Sequence, residues 1–316
     1  MLSVQPANPR PRILVTPRSL TGPGLDGVPE LNSLRDAGYE LIACEPGNTP
    51  GEEELLRLVP DVVGWLAGVE PITARVLTSA HKLKAISRNG AGVDNIDAAA
   101  ARGAGVTVLR APGANAHGVA ELAVGLALTA LRELASSAQA MRDGRWARNP
   151  GRELSEVTVG VVGFGAVGRR SASVFSSLGA SVIAYDPFVE ESEFELTTFD
   201  DLLDRADVVT LHCPPQPNGA ALVDRAALAR LAPDAVIVNT ARSSLVDDVA
   251  VLEALEAGRL SFYAVDAFDR EPPEPSALLA HERVFATPHL GGYTHASVSR
   301  AARAAADNLL DALSAS

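Results

Sequence analysis

Residues 157–168 read Val157-Thr-Val-Gly-Val-Val-Gly163-Phe-Gly165-Ala-Val-Gly168, an apolar run that breaks into three spaced glycines. The apolar part, Thr158–Val162, reads as a buried strand, and a helical stretch, Val167–Leu178, follows at once. Each position of this GxGxxG turn has a physical reason. Gly163 permits the tight turn, Gly165 carries no side chain to hold a pyrophosphate off the backbone, and Gly168 lets the helix pack on the strand. The helix start at Ala166 and Val167 offers N–H groups to phosphate oxygens. Eighteen residues past Gly168, Asp186 ends the next apolar run. Its carboxylate can accept hydrogen bonds from ribose hydroxyls and repels a 2′-phosphate. The stretch predicts a dinucleotide-binding βαβ unit, with NAD favoured over NADP as cofactor.

The same alternation of short apolar runs and helical segments extends both ways. Downstream, strands are predicted at Ser181–Tyr185, Val208–Leu211, Ala235–Asn239, Tyr263–Asp266 and Val284–Ala286, with helices at Phe199–Leu203, Arg225–Leu231 and Asp248–Ala257. With Thr158–Val162 this makes six strands, a complete doubly wound sheet. Upstream, strands at Ile13–Thr16, Glu40–Cys44, Val62–Leu66, Leu83–Ser87 and Val106–Leu109 alternate with helices such as Leu31–Ala37, Glu52–Leu58 and Ile96–Arg102. The fold class is therefore α/β, with two doubly wound parallel-sheet domains. Expected boundaries fall near Ala111-Pro112-Gly113 and Gly291-Gly292. Residues 1–110 and 291–316 form one domain, closed by an amphipathic helix His295–Leu313, and 111–290 form the other. Between the halves, 116–141 reads as one long helix. Its first half is apolar nearly all round, so it is expected to bridge domains and to form a subunit interface in a homodimer.

The chain has 316 residues, 47% of them hydrophobic, and a net charge of −12. That composition excludes a disordered chain, and its acidity argues against nucleic-acid or anionic-membrane partners. No apolar run reaches the ~20 residues of a membrane helix. The opening MLSVQPANPRP lacks the apolar segment of a signal peptide, so a cytoplasmic protein is expected. Two cysteines, Cys44 and Cys213, are too few for a disulfide framework or a zinc site, and no metal is expected.

In open α/β sheets, ligands bind beyond the carboxyl ends of the strands. Three polar residues fall there: Arg242 after Asn239, Glu271 after Asp266, and His289 after Ala286. Their types suit hydride exchange at a carbinol carbon. A histidine can exchange the alcohol proton near neutral pH, a glutamate can orient and charge the imidazole, and an arginine fork can grip a carboxylate.

At this point the sequence resembles the D-2-hydroxyacid dehydrogenase family, and within it the phosphoglycerate dehydrogenase-like branch. The resemblance runs through SRNGAGVDNID (87–97), PGANAHGVAEL (112–122), MRDGRW (141–146), VGVVGFGAVG (159–168), YDP (185–187), NTARSSLVD (239–247), VDAFDREP (265–272) and TPHLGG (287–292). It implies a flavodoxin-like substrate domain beside a Rossmann-like NAD-binding domain. It implies that Arg242, Glu271 and His289 form the catalytic set. Cofactor contacts would come from Ala166, Val167, Asp186, Cys213, Thr240, Ala241, Arg242, Asp266 and His289 through Gly291 and Gly292, with Asp266 on the nicotinamide carboxamide. The loop Asn89-Gly90-Ala91-Gly92 would present N–H groups to the substrate carboxylate, and Arg88 matches an arginine found near a substrate phosphate.

Several positions depart from the family pattern. Ser243-Ser244 follows the arginine where glycine is usual, so a different local turn is expected. Ala67 stands where a second phosphate-binding arginine is common, which weakens 3-phosphoglycerate as substrate. What Arg88 and Trp65 face would then decide the acid. Past the C-terminal helix the sequence ends, so the regulatory domain of longer relatives is expected to be absent. The expected function is NAD-dependent interconversion of a small D-2-hydroxy acid and its 2-oxo acid. Alternatives are a glyoxylate, hydroxypyruvate or phosphonate-analogue reductase, or a corepressor-like NAD(H)-sensing protein that would not need the complete catalytic set. A formate dehydrogenase is disfavoured because Glu271, not glutamine, partners the histidine.

Overall fold

The computed structural model describes residues 10–315. The N-terminal stretch read above for targeting lies, up to Pro9, outside the described residues. The chain divides into two compact units, Met1–Asn115 with His295–Ser316, and Ala116–Thr294.

The first unit holds a five-stranded sheet of β1 (Arg12–Val15), β2 (Glu40–Ala43), β3 (Val62–Ala67), β4 (Ala85–Arg88) and β5 (Thr107–Arg110). Its order is β2-β1-β3-β4-β5 and every pairing is parallel. Period-two alternation sorts the strand residues between two cores. Leu14, Trp65, Ala67 and Ile86 face helical residues Val76 and Leu77. Ile13, Val15, Leu66 and Ala85 face the helix His295–Ser314. That helix meets the sheet through Ala302, Ala305 and Ala306, side chains small enough for close approach. Gly64 completes the fit, because a Cβ there would lie 2.9 Å from Leu313 Cδ1.

The second unit holds seven parallel strands: β6 (Thr158–Val162), β7 (Ser181–Tyr185), β8 (Glu195–Leu196), β9 (Val208–Leu211), β10 (Ala235–Asn239), β11 (Leu260–Val265) and β12 (Val284–Ala286). The order β12-β11-β10-β9-β6-β7-β8 reverses direction between β6 and β9, so a crevice opens there at the carboxyl ends. The sheet has one strand more than the six expected. Edge strand β8 has two residues, too few to show alternation in a sequence. Both faces are apolar, with Val162, Val209, Leu211 and Ile237 in one core and Val159, Val161, Val208 and Val236 in the other.

The single helix expected over 116–141 is two helices, α1 (Ala116–Leu131) and α2 (Leu134–Arg142). Glu133 takes a left-handed φ of 47° between them. At the break Arg152 N donates to the Leu131 carbonyl at 3.0 Å, so that carbonyl is satisfied from outside the helix. Helix α1 packs on helix α3 (Ala166–Ser177) and on β10 and β11. Among the described residues, no helix is long and apolar enough to cross a membrane.

Candidate active site

The glycine turn shows which of its glycines the protein itself requires. Gly163 has φ 88°, and a Cβ there would lie 2.7 Å from Cys213 N. A Cβ on Gly168 would lie 1.9 Å from the Gly163 carbonyl, so α3 could not pack on β6. Gly165, the residue before α3, has an ordinary φ of −77° and no atom within 4 Å of its would-be Cβ. Nothing inside the protein demands glycine at 165. The space there, beside the N–H groups of Ala166 and Val167, has the form an anionic pyrophosphate requires. Asp186 is tied to this turn, accepting from Phe164 N at 2.7 Å and Phe188 N at 2.9 Å. A carboxylate has about four acceptor sites, so capacity for ribose hydroxyls remains.

Beyond β9 and β10 lie His212, Cys213, Thr240 and Ala241. The His212 ring contacts Thr210 Oγ1 at 3.0 Å and Thr240 Oγ1 at 3.3 Å. Burial pushes its pKa down to about 3, so it bridges the two threonines as neutral imidazole. Burial likewise pushes the Cys213 thiol up to about 11, which keeps it protonated and suits it to packing rather than attack. Asn239 shapes the turn that follows. Its Nδ2 donates to the Arg242 carbonyl at 2.8 Å, and its Oδ1 accepts from Ala241 N at 3.1 Å. Arg242 Nη1 in turn donates to the Ala241 carbonyl at 2.7 Å. Ser243–Leu245 form a short 3-10 turn. The described non-glycine residues of positive φ are Glu133, Asp234 and His289, so neither serine has to enter a glycine-only conformation.

His289 and Glu271 meet. His289 Nδ1 lies 2.6 Å from Glu271 Oε1. Burial of Glu271 raises its carboxyl, but the hydrogen bond and charge of His289, the Phe268 N–H and the charge of Arg242 outweigh it. The net direction is below the ordinary carboxylate value. A depressed carboxyl stays ionised at neutral pH, and that ionisation is lost only as pH falls through the lowered value.

His289 itself has φ 53°, a left-handed conformation that costs a non-glycine residue roughly 1–2 kcal/mol. Asp266 holds the loop that imposes it. Its carboxylate accepts from Thr287 Oγ1 at 2.6 Å, Leu290 N at 2.7 Å and Gly291 N at 2.8 Å. Its carbonyl accepts from His289 N at 2.9 Å. Gly291 packs so closely that a Cβ there would lie 3.1 Å from Asp266 Oδ2, and Gly292 continues the same loop. Sequence reasoning placed Asp266 at a strand end but missed that three loop donors occupy its carboxylate.

In the first unit, Arg88 ends β4 opposite Ala67 of β3. Its Nη1 donates to the Asn89 carbonyl at 2.7 Å. The guanidinium curls over the loop, so a Cβ on Gly90 would lie 3.0 Å from Nη1, and Gly90 takes φ 154°. Asn89 N donates to the Ala67 carbonyl and Ala111 N to the Gly90 carbonyl, both at 2.9 Å, which fixes the entry of Gly90-Ala91-Gly92. Asn89 Oδ1 is buried without a hydrogen-bond donor among the described residues. Trp65 does not face a substrate. It is fully buried, and its indole N–H donates to Thr16 Oγ1 at 2.9 Å. Beside it lies a residue the sequence did not single out. Glu70, 1% exposed, accepts from Gly68 N at 3.0 Å and from Thr16 Oγ1.

The glycine turn and the switch between β6 and β9 define a dinucleotide-binding fold. Residues 124–291 match the model of the D-isomer specific 2-hydroxyacid dehydrogenase, NAD binding domain. D-3-phosphoglycerate dehydrogenase of Mycobacterium leprae (strain TN) is 40% identical over 272 residues, 84% of this chain and 52% of that protein. The chain thus spans about half the length of the curated relatives it matches. Among solved structures, the TT0316 protein from Thermus thermophilus is 33% identical with a TM-score of 0.86, covering 96% of this chain and 97% of that one. A glyoxylate reductase from Paecilomyes thermophila is 26% identical with a TM-score of 0.85, covering 97% of this chain and 96% of that one. The chain belongs to the D-isomer specific 2-hydroxyacid dehydrogenase family, and residues 124–291 are its NAD-binding domain.

Proposed function

We propose that this protein is an NAD-dependent oxidoreductase that interconverts a small D-2-hydroxy acid and its 2-oxo acid. The observation that carries the reading is the His289–Glu271 contact of 2.6 Å at the carboxyl ends of a sheet bearing an open glycine turn. Nδ1 of His289 is engaged by Glu271, which leaves Nε2 to give or take the proton at the substrate oxygen. Glu271, held ionised, orients the imidazole through Nδ1. Arg242 binds the substrate carboxylate and polarises the neighbouring carbonyl.

NAD fits the residues present. Gly163, Gly165, Ala166, Val167 and Gly168 would hold its pyrophosphate and Asp186 its ribose. Cys213, Thr240, Ala241, Gly291 and Gly292 would line the rest. Asp266 keeps at most one acceptor site for the carboxamide, because three are filled by the loop it anchors. When bound, the nicotinamide supplies or accepts the hydride.

The unit carrying Arg88 and Asn89-Gly90-Ala91-Gly92 would be the substrate domain, built from 1–110 and 291–316, with 111–290 as the cofactor domain. Relatives at 33–40% identity are D-3-phosphoglycerate dehydrogenases, and Arg88 supports an acid of that kind. Ala67, rather than a second cation, stands opposite Arg88. That pairing and the likeness to a glyoxylate reductase favour a smaller or uncharged distal group as the second reading. With the enzyme reading go a homodimer and a cytoplasmic location, the latter in keeping with two free thiols. NADH oxidation against a panel of phosphorylated and unphosphorylated 2-oxo acids tests the function. His289→Ala should lower kcat about 10²–10⁴-fold with NADH binding retained. An unchanged kcat would refute the assignment.

A further inference from the structure

Ser243 and Ser244 follow Arg242, and both reach the loop that carries Glu271. Asp269 N donates to Ser243 Oγ at 3.0 Å, and Ser244 Oγ donates to Asp269 Oδ1 at 3.2 Å. Ser243 adjoins Arg242, and Asp269 lies two residues before Glu271. One aspartate thus joins the arginine turn to the glutamate loop through its backbone and its side chain together.

The loop has reason to need this tie. It borders a cavity of about 260 Å³, lined in part by Tyr263, Val265, Phe268, Leu278 and Leu279. On that side the loop faces an open cleft rather than packed side chains. Phe268 N donates to Glu271 Oε1 at 3.3 Å, and Arg270 pairs with Glu274, but both contacts stay inside the loop.

We infer that Ser243 and Ser244 are positioning residues that clamp the Glu271 loop to the Arg242 turn through Asp269 and so hold Glu271 on His289. The inference rests on the proposed roles of His289 and Glu271. Without the clamp the loop would shift by the fraction of an ångström that a 2.6 Å contact cannot absorb, and the imidazole would lose part of its partner's charge.

The test uses the full chain carrying Ser243→Ala together with Ser244→Ala. The first readout is the ring signal of His289 in the NMR spectrum of the cofactor-free protein, assigned by the signal lost in His289→Ala. That signal should move in the direction given by Glu271→Gln. The second is steady-state kinetics, where kcat should fall about 3–10-fold with KM for the oxo acid changed less than about twofold. Ser243→Thr, which keeps the hydroxyl, should restore both in a Ser244→Ala background. A double variant with wild-type ring signal and kcat, even one that melts earlier, overturns the clamp. If Glu271→Gln moves the ring signal and the serine variant does not, the clamp alone fails. If Glu271→Gln also leaves it unmoved, the reading of the histidine–glutamate pair falls with it.

Discussion

Glu70 and Glu271 are carboxylates whose surroundings push them in opposite directions. Glu271 is held low by a histidine and an arginine. Glu70 is pushed up by burial, and the donors from Thr16 and Gly68 and the charge of Arg88 do not reverse it. A raised carboxyl favours the protonated form in the folded state. Its contribution to stability is full below its unfolded pKa and is lost as pH rises through the folded value. Glu70→Gln removes that titration while Oε1 can still accept from Gly68 N and Thr16. The variant should melt at or above the wild-type temperature near pH 8, and that advantage should shrink near pH 5. A thermal-shift series with the opposite slope would count against this account. Glu70 is invisible to sequence reading, because its partners lie 54 residues away at Thr16 and inside its own loop. His289 and Glu271 could be singled out because each lies in a short motif that follows a predicted strand. Ser243 was visible as a departure from pattern, but its bond to Asp269 needed the fold.

Among elements, the strands could be read from alternation and from apolar runs bounded by turns. Two features escaped, for different physical reasons. Strand β8 is shorter than one full alternation. The break between α1 and α2 has no proline or glycine to announce it, since Arg132 and Glu133 are ordinary helix residues and the Leu131 carbonyl there is satisfied by Arg152, distant in sequence. The glycine turn was legible as a motif, whereas the division of labour among its glycines was not. Gly165→Val should leave the melting temperature within about 2 °C, because its Cβ meets open space. It should weaken NADH binding about tenfold or more, measured by fluorescence titration. Gly168→Val drives a side chain into the Gly163 carbonyl and should cost about 3 kcal/mol of stability. A Gly165 variant that binds NADH normally would remove the pyrophosphate from that turn.

For the whole molecule, the net charge of −12 coexists with cationic groups at the strand ends of each unit, Arg88 in one and Arg242 in the other. Small anions would be drawn locally where large polyanions are repelled overall. The stretch after α1 leaves Leu134 52%, Met141 56% and Trp146 78% exposed. Large apolar side chains grouped on one segment suit burial against a second copy of the chain. Light scattering should give twice the chain mass at micromolar concentration, and Met141→Glu with Trp146→Glu should halve it. A wild-type chain that stays monomeric at tens of micromolar would exclude the dimer.

The division of the first unit into two segments sets an order on biosynthesis. The second unit is contiguous, so every residue of its core has been made once the ribosome has passed Thr294. The first unit begins earlier yet waits, because one face of its sheet is covered by Ala302, Ala305, Ala306 and Leu309. At about 5–20 residues per second, the β1 face stays uncovered for some tens of seconds while the intervening unit is translated. Of the two units, the earlier-made segment of the first is therefore the one more exposed to chaperones and to premature aggregation.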